Sequence, residues 1–261
     1  MTLSRRTFMA TAASAGVIAI MPFTANAAAH GANSFETGQG TLTIHPIEHA
    51  SIVMETPAGV IYVDPVGDAA QYSTFPKPDL ILLTHEHGDH FAPETLATLV
   101  ADKTVLITNP AVYDKLDDTL KAKASSVANG DQTEFNGITI DAIPAHNTTP
   151  ERANFHPEGR DNGYVLTMGD FRIYLSGDTE VTDAMKGLKD IDLAFVCMNL
   201  PFTMGVEQAA EGVAAFAPAV VYPYHYRNKD KTFSDLGKFA ELVGDKAEVR
   251  MGDWYGGADH A

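Results

Sequence analysis

Cysteine is almost missing from this chain: of its 261 residues only Cys197 carries a thiol. One thiol cannot close an internal disulfide, even in an oxidising compartment. It stands in the apolar run 193–198, where a buried, inert thiol is expected. Basic residues are scarce as well. There are 18 Lys and Arg against 34 Asp and Glu, a net charge of −16. Such a surface argues against nucleic acid and anionic lipid head groups as partners. The chain also has no internal repeat and no low-complexity tract. What is present is a 45% hydrophobic content, enough for a sizeable core, on a length suited to one large or two-layered domain.

The N-terminus reads as a targeting segment, residues 1–27. Ser4-Arg5-Arg6-Thr7-Phe8-Met9 resembles a twin-arginine export signal, residues 10–23 are small and apolar, and Ala25-Asn26-Ala27 fits a cleavage site; cleavage after Ala29 also fits. The apolar run is too short and too rich in Ala and Ser for a comfortable membrane span. The mature protein is therefore expected to be exported, periplasmic, and without stable membrane insertion, its partners being the twin-arginine machinery and a small-molecule substrate. A homo-oligomer is compatible with the composition. Removing Arg5 and Arg6 takes the balance from 18 to 16 bases against 34 acids, from −16 to −18. Residues 28–40 read as a flexible arm and 41–261 as the folded domain.

The domain is organised around Thr84-His85-Glu86-His87-Gly88-Asp89-His90. The motif follows the apolar run 79–83, which reads as a buried strand. Three imidazoles and two carboxylates thus crowd one strand end, where function usually sits. Neutral imidazole with carboxylate suits Zn, Fe or Mn. The alternating His85 and His87 can converge on one ion, while Asp89 and His90, beyond Gly88, can turn toward a second.

H-x-H-x-D-H after an apolar strand resembles the metal motif of the metallo-β-lactamase superfamily. That family needs a further His, an Asp after a strand and a last His. This chain offers, in order, His146 after 138–143, Asp178 after 171–176 and His225 after 219–224. The resemblance spans roughly residues 40–255. It implies an α/β (α+β) fold, the αββα sandwich of two facing mixed sheets with helices outside and metals at one edge. It implies two divalent ions, zinc first, with manganese or iron as alternatives. His85, His87 and His146 would hold one ion, Asp89, His90 and His225 the other, and Asp178 would bridge. Asp64, at the end of strand 60–64, would orient a ligand imidazole; a turn-initiating Asp before Pro65 is the other reading. His49 would stand at the mouth of the site, outside the ligand set, and His45 is expected to be structural.

The ligands imply hydrolysis by water activated between the ions, with Asp89 also orienting it as the catalytic carboxylate. All-N/O ligation resembles the glyoxalase II and L-ascorbate-6-phosphate lactonase types, so a small ester or lactone is expected. Phosphodiesterase, β-lactamase and thioesterase activities stay open, and a mononuclear-iron persulfide dioxygenase is the alternative of another class. Residues 147–161 form a long connector without periodicity, a candidate pocket wall. Its Arg152, His156 and Arg160, with Arg227 beyond His225, could meet an anionic group; pairing of the arginines with Glu151, Glu158 and Asp161 is the competing reading. Helices are expected over 93–101, 110–121, 206–216 and 233–243.

Overall fold

Short apolar runs that end in polar site residues form the strands of this protein. A computed structural model describes residues 33–257; the expected signal, residues 1–27, lies outside them. The first sheet contains β1 (Asn33–Thr37), β2 (Gly40–Glu48), β3 (Ser51–Thr56), β4 (Gly59–Val63), β5 (Leu80–Leu83), β6 (Val105–Thr108) and β7 (Ala124–Ser126), in sequence order. The second contains β8 (Gln132–Phe135), β9 (Ile138–Ala145), β10 (Asp161–Met168), β11 (Phe171–Leu175), β12 (Leu193–Cys197), β13 (Val220–Tyr224) and β14 (Glu248–Val249), also in order. Each sheet begins antiparallel and turns parallel, at β4–β5 in the first and at β11–β12 in the second. The helices are α1 (Pro93–Leu99), α2 (Pro110–Lys115), α3 (Asp118–Lys121), α4 (Asp183–Lys186), α5 (Val206–Phe216) and α6 (Leu236–Val243).

Two apolar clusters show the layers. One joins both sheets, with Ile52, Ile61 and Leu82 of the first meeting Leu166, Ile173 and Phe195 of the second. The other lies on the opposite face of the first sheet, where Tyr62, Ile81 and Leu83 meet Leu96, Val112 and Leu120 of the helices. Every residue of β5, β12 and β13 is buried, as expected of strands covered on both faces. The fold is the αββα sandwich that the motif implied.

Three local expectations need correction. The arm over 28–40 is ordered from Asn33, where β1 pairs antiparallel with β2 and buries alternate residues partly, with Phe35 packed against the core. The helix over 110–121 is two helices. Its chain turns at Leu116, and the Asp117 carboxylate accepts from the Leu120 amide at 2.8 Å, restarting the helix. The helix over 233–243 starts at Leu236, because Asp235 caps it and Phe233 pairs with Arg227 instead.

The parallel strands β4, β5, β11 and β13 deliver their C-terminal ends to the same region, the place where open α/β sheets carry ligands. Gly177 makes one of these ends possible. It has φ +60°, and a Cβ there would lie 2.7 Å from the Asn162 carbonyl oxygen and 3.3 Å from Thr84 Cβ. Gly177→Ala should therefore destabilise the protein by about 2 kcal/mol or more, measured by urea unfolding. Unchanged stability would show that the turn relaxes freely.

Candidate metal centre

Three non-glycine residues with left-handed backbone frame the centre: His49 (φ 58°) between β2 and β3, Asp64 (φ 42°) after β4, and His225 (φ 47°) after β13. Backbone bonds hold them there. The Asp64 amide donates to Leu82 O at 2.9 Å, its carbonyl accepts from the Ser51 hydroxyl at 2.6 Å, and the His225 amide donates to His49 O at 3.1 Å. Strained conformations of this kind persist where surrounding contacts fix them.

Ligand-type atoms gather in three groups, each within 4.8 Å, the first two sharing His85: His85, His87 and His156; His85, His90 and Asp178; and His49, Asp89 and His225. The buried Asp178 carboxylate touches all sides. Its Oδ1 is 3.3 Å from His90 Nε2, and its Oδ2 is 3.4 Å from His156 Nε2 and 3.5 Å from His225 Nε2. Asp89 Oδ2 lies 3.2 Å from His49 Nε2 and 3.4 Å from His225 Nε2.

The opposite ring nitrogens of His90, His156 and His85 are anchored, whereas Nδ1 of His225 has no hydrogen bond. His90 Nδ1 meets the fully buried Asp64 at 2.7 Å, and Asp64 also accepts from the Thr84 amide and hydroxyl at 2.8 and 2.6 Å. His156 Nδ1 meets Asp161 at 3.0 Å, and His85 Nδ1 meets the Thr84 hydroxyl at 3.0 Å. Carboxylates behind imidazoles orient metal ligands in this way. By contrast Nε2 of His85, His90 and His225 and Oδ1 of Asp178 are buried without a hydrogen bond. A cation would satisfy them, so the donor set fits a divalent metal.

Charge follows the same geometry. Burial, then His90, holds His85 well below the usual imidazole range, and burial, then His156, lowers His87. Burial opposes charge on Asp178, yet His225 and His90 keep its carboxyl well below the ordinary value. The same balance lowers Asp89, through His225 and His49. His90 is pushed up against its burial by Asp178 and Asp64. His49 is lowered to about 4 by burial and by His225.

Of the seven expected ligands, six come together: His85, His87, Asp89, His90, Asp178 and His225. His146 does not. It belongs to none of the groups among the described residues. Its backbone is tied to Thr179 and Glu180, with its amide on the Thr179 hydroxyl at 3.0 Å and its carbonyl accepting from the Glu180 amide at 3.0 Å. His156, ten residues on, stands in the group with His85 and His87. The only advance sign was Asp161, the carboxylate that holds its ring. His49 was placed outside the ligand set and stands within reach of Asp89 and His225, while Tyr255 holds its Nδ1 at 2.9 Å. His45 pairs with Glu55 at 2.9 Å, away from the centre.

The connector's arginines are paired. Arg152 donates to the buried Glu180 at 2.7 Å, and Glu180 also accepts from the Thr148 and Thr149 amides at 2.8 and 2.6 Å. Arg160 donates to Asp161 at 2.6 and 2.8 Å. Arg152 thereby ties the connector to Glu180, and Arg160 supports the Asp161 that anchors His156.

Comparison with known proteins finds relatives named for metal dependence. The family described as Beta-lactamase superfamily domain matches residues 43–225. A UPF0173 metal-dependent hydrolase of Pyrococcus horikoshii is 34% identical over 186 residues, covering 69% of this chain and 81% of the relative. A crystal structure from Parabacteroides distasonis, carrying the name of a metal-dependent hydrolase, is 40% identical with a TM-score of 0.77, covering 86% of this chain and 99% of that one. The metallo hydrolase Igni18 of Ignicoccus hospitalis shares the fold, with a TM-score of 0.68 at 21% identity over 80% of this chain and 94% of that one.

His156→Ala should weaken metal binding on the order of tenfold or more, while His146→Ala should leave affinity within about twofold. Competition of each variant with a chromogenic chelator measures both. The reverse order would restore His146 as the ligand.

Proposed function

We propose, for a chain that belongs to the metallo-β-lactamase superfamily and within it to the UPF0173 metal-dependent hydrolases, that its site holds two divalent cations and hydrolyses a small ester or lactone. The observation carrying the binuclear reading is the reach of one buried carboxylate. Asp178 lies against His156 of one ligand group, His225 of another, and His90 between them. His85, His87 and His156 would hold one ion, Asp89, His90 and His225 the second, and Asp178 would bridge. Nitrogen and oxygen ligands without a thiolate suit zinc, with manganese or iron as other fits. Ions held there supply Lewis acidity and bring a water molecule's pKa toward neutrality.

The chain's own groups then divide the work. Asp64 and Asp161 fix the rings of His90 and His156 so that each turns Nε2 inward. His49 is neutral at pH 7, since its pKa lies at about 4. Its Nε2–H can donate to the ionised Asp89 while Nδ1 accepts from the Tyr255 hydroxyl. Asp89 has a side chain 46% exposed, in contrast to the 3% of Asp178. It is therefore the carboxylate that meets arriving water, and it would orient the nucleophile. A mononuclear-iron oxygenase reading leaves the group around Asp89 and His225 without use.

Export belongs to the same reading. The twin-arginine signal around Arg5 and Arg6 would deliver the folded, metal-loaded enzyme to the periplasm. No helix among the described residues is long and apolar enough to cross a membrane.

Elemental analysis of the mature protein should give near two metal equivalents per chain; saturation at one would remove the binuclear reading. Asp178→Ala should lose at least one equivalent and reduce turnover on the order of 10²-fold or more. A panel of lactones, β-lactams, thioesters and phosphodiesters tests the substrate class, and turnover confined to phosphodiesters would overturn the ester assignment. For export, Arg5→Lys with Arg6→Lys should leave unprocessed precursor in the cytoplasm. Normal appearance of mature protein in the periplasm would count against that route.

A further inference from the structure

A cleft of ≈ 600 Å³ opens beside Asp89 and His225, with Phe202 and Phe233 among its walls. Its rim carries Arg227, Lys229 and Lys231, all three from one turn after β13. In a chain with 18 basic residues and a net charge of −16, three cations within five residues are a local reversal of sign. We infer that this cleft is an oxyanion subsite, which takes a carboxylate or phosphate that the substrate carries away from the bond to be broken. The inference rests on the hydrolase reading above and names its substrate class, a small ester with an anionic arm.

The state of the three cations supports it. Some bases elsewhere are matched with acids, Arg152 with Glu180, Arg160 with Asp161, Arg250 with Glu248 and Lys115 with Glu86, while Lys77, Lys121 and Lys123 donate to carbonyl oxygens. What sets the cleft apart is three cations gathered on one rim. Among the described residues no carboxylate lies within ion-pair distance of Arg227, Lys229 or Lys231. The Arg227 guanidinium sits over the Tyr255 ring, 5.1 Å from its centre. The acid inside the turn, Asp230, is engaged locally, accepting from the Thr232 amide and hydroxyl at 3.1 and 2.6 Å. Asp89, the acid lining the cleft, is taken up by His49 and His225.

The turn is also held in place before any ligand arrives. The Lys229 amide donates to Leu200 O at 3.0 Å, Asn228 Oδ1 accepts from the Leu200 amide at 2.8 Å, and the Asn228 amide donates to Thr232 O at 2.8 Å. Arg227 pairs antiparallel with Phe233. These backbone donors are used internally, so the side-chain charges are what remains for a ligand. A pinned turn spares much of the ordering cost of binding. The aromatic walls would receive the substrate's apolar body, and the cations its anionic end.

The test uses the full mature chain with its metals as purified. Calorimetric titration with phenyl phosphate and with benzoate supplies the two oxyanion sources, and benzyl alcohol is the neutral probe. Wild type should bind at least one oxyanion in the millimolar range or tighter, and the tighter of the two identifies phosphate or carboxylate as the arm. R227Q/K229Q/K231Q should weaken that binding on the order of tenfold or more, with benzyl alcohol moving less than about twofold and metal content unchanged. The single variant K231Q, on an exposed side chain, should weaken it about two- to threefold and keeps the test decisive if the triple variant misfolds. The kcat/KM ratio for an anionic over a neutral phenyl ester should fall in parallel. No oxyanion binding by wild type, unchanged binding in the variants, or an equal loss of benzyl alcohol or of metal would each overturn the subsite. Loss of oxyanion binding in a protein that hydrolyses none of the esters would keep the subsite and sink the ester reading. Ester hydrolysis with charge-independent binding would do the reverse.

Discussion

Nε2 of His85, His90 and His225 and Oδ1 of Asp178 lie in the interior without hydrogen bonds, and each such group left unmatched costs roughly 1–3 kcal/mol. They are neighbours rather than scattered faults, and they face one another across the junction of the two sheets. Divalent cations at this junction would answer them, because a cation is the partner that can accept several lone pairs at once. Metal binding and folding would then be linked, and bound metal would contribute stability as well as chemistry. The apolar layer between the sheets, from Ile52 to Phe195, supplies the frame that keeps these groups dry enough for the ion to matter.

Backbone strain is present at the same place, as it is at Asn136, Asp190, Ala217 and Lys231 elsewhere. His49, Asp64 and His225 each take a left-handed conformation that glycine would adopt more easily. Glycine could not do their work, since each side chain supports the centre: Asp64 on His90, His49 on Asp89, His225 on Asp178. The bond from the His225 amide to His49 O joins a strand end of the second sheet to a turn of the first. It fixes the separation of two ligand-bearing segments that are far apart in sequence. Strain at these positions is offset by bonds of this kind and by the packed core behind them.

Much of this was legible in the sequence, for local reasons. The motif at 84–90, Asp178 and His225 each follow a strand whose apolar run is continuous, and a ligand at such a strand end has little freedom of direction. The choice between His146 and His156 was not legible, because both flank a connector of about fifteen residues whose path depends on tertiary contacts. Asp161 stands behind the ring of His156, whereas His146 lies outside the three ligand groups, its backbone paired with Thr179 and Glu180. Neither has a periodic signature. The same limit hid β1, whose alternation is carried by the single large apolar residue Phe35, and the break at Leu116–Asp117, which is set by a capping carboxylate inside a helix-like pattern.

The connector also decides from which side the centre can be reached. It closes over one ligand group, held by Glu180 from below and by the Arg160–Asp161 pair at its end, and there His85 and His156 are fully buried. On the other side Asp89 keeps nearly half of its side chain in solvent and faces the cleft. The arginines of the connector are tied to Glu180 and Asp161, whereas in the turn after β13 Arg227 lies over a ring and Lys229 and Lys231 stand at the rim. A strongly acidic protein repels anions at a distance, and screening reduces that repulsion beyond about 8 Å at physiological ionic strength. Within that range the local cations and the metal charge outweigh the distant carboxylates. The open side of the centre is thus the side with the reversed sign. Burial and charge place access on the same face, by independent physical routes.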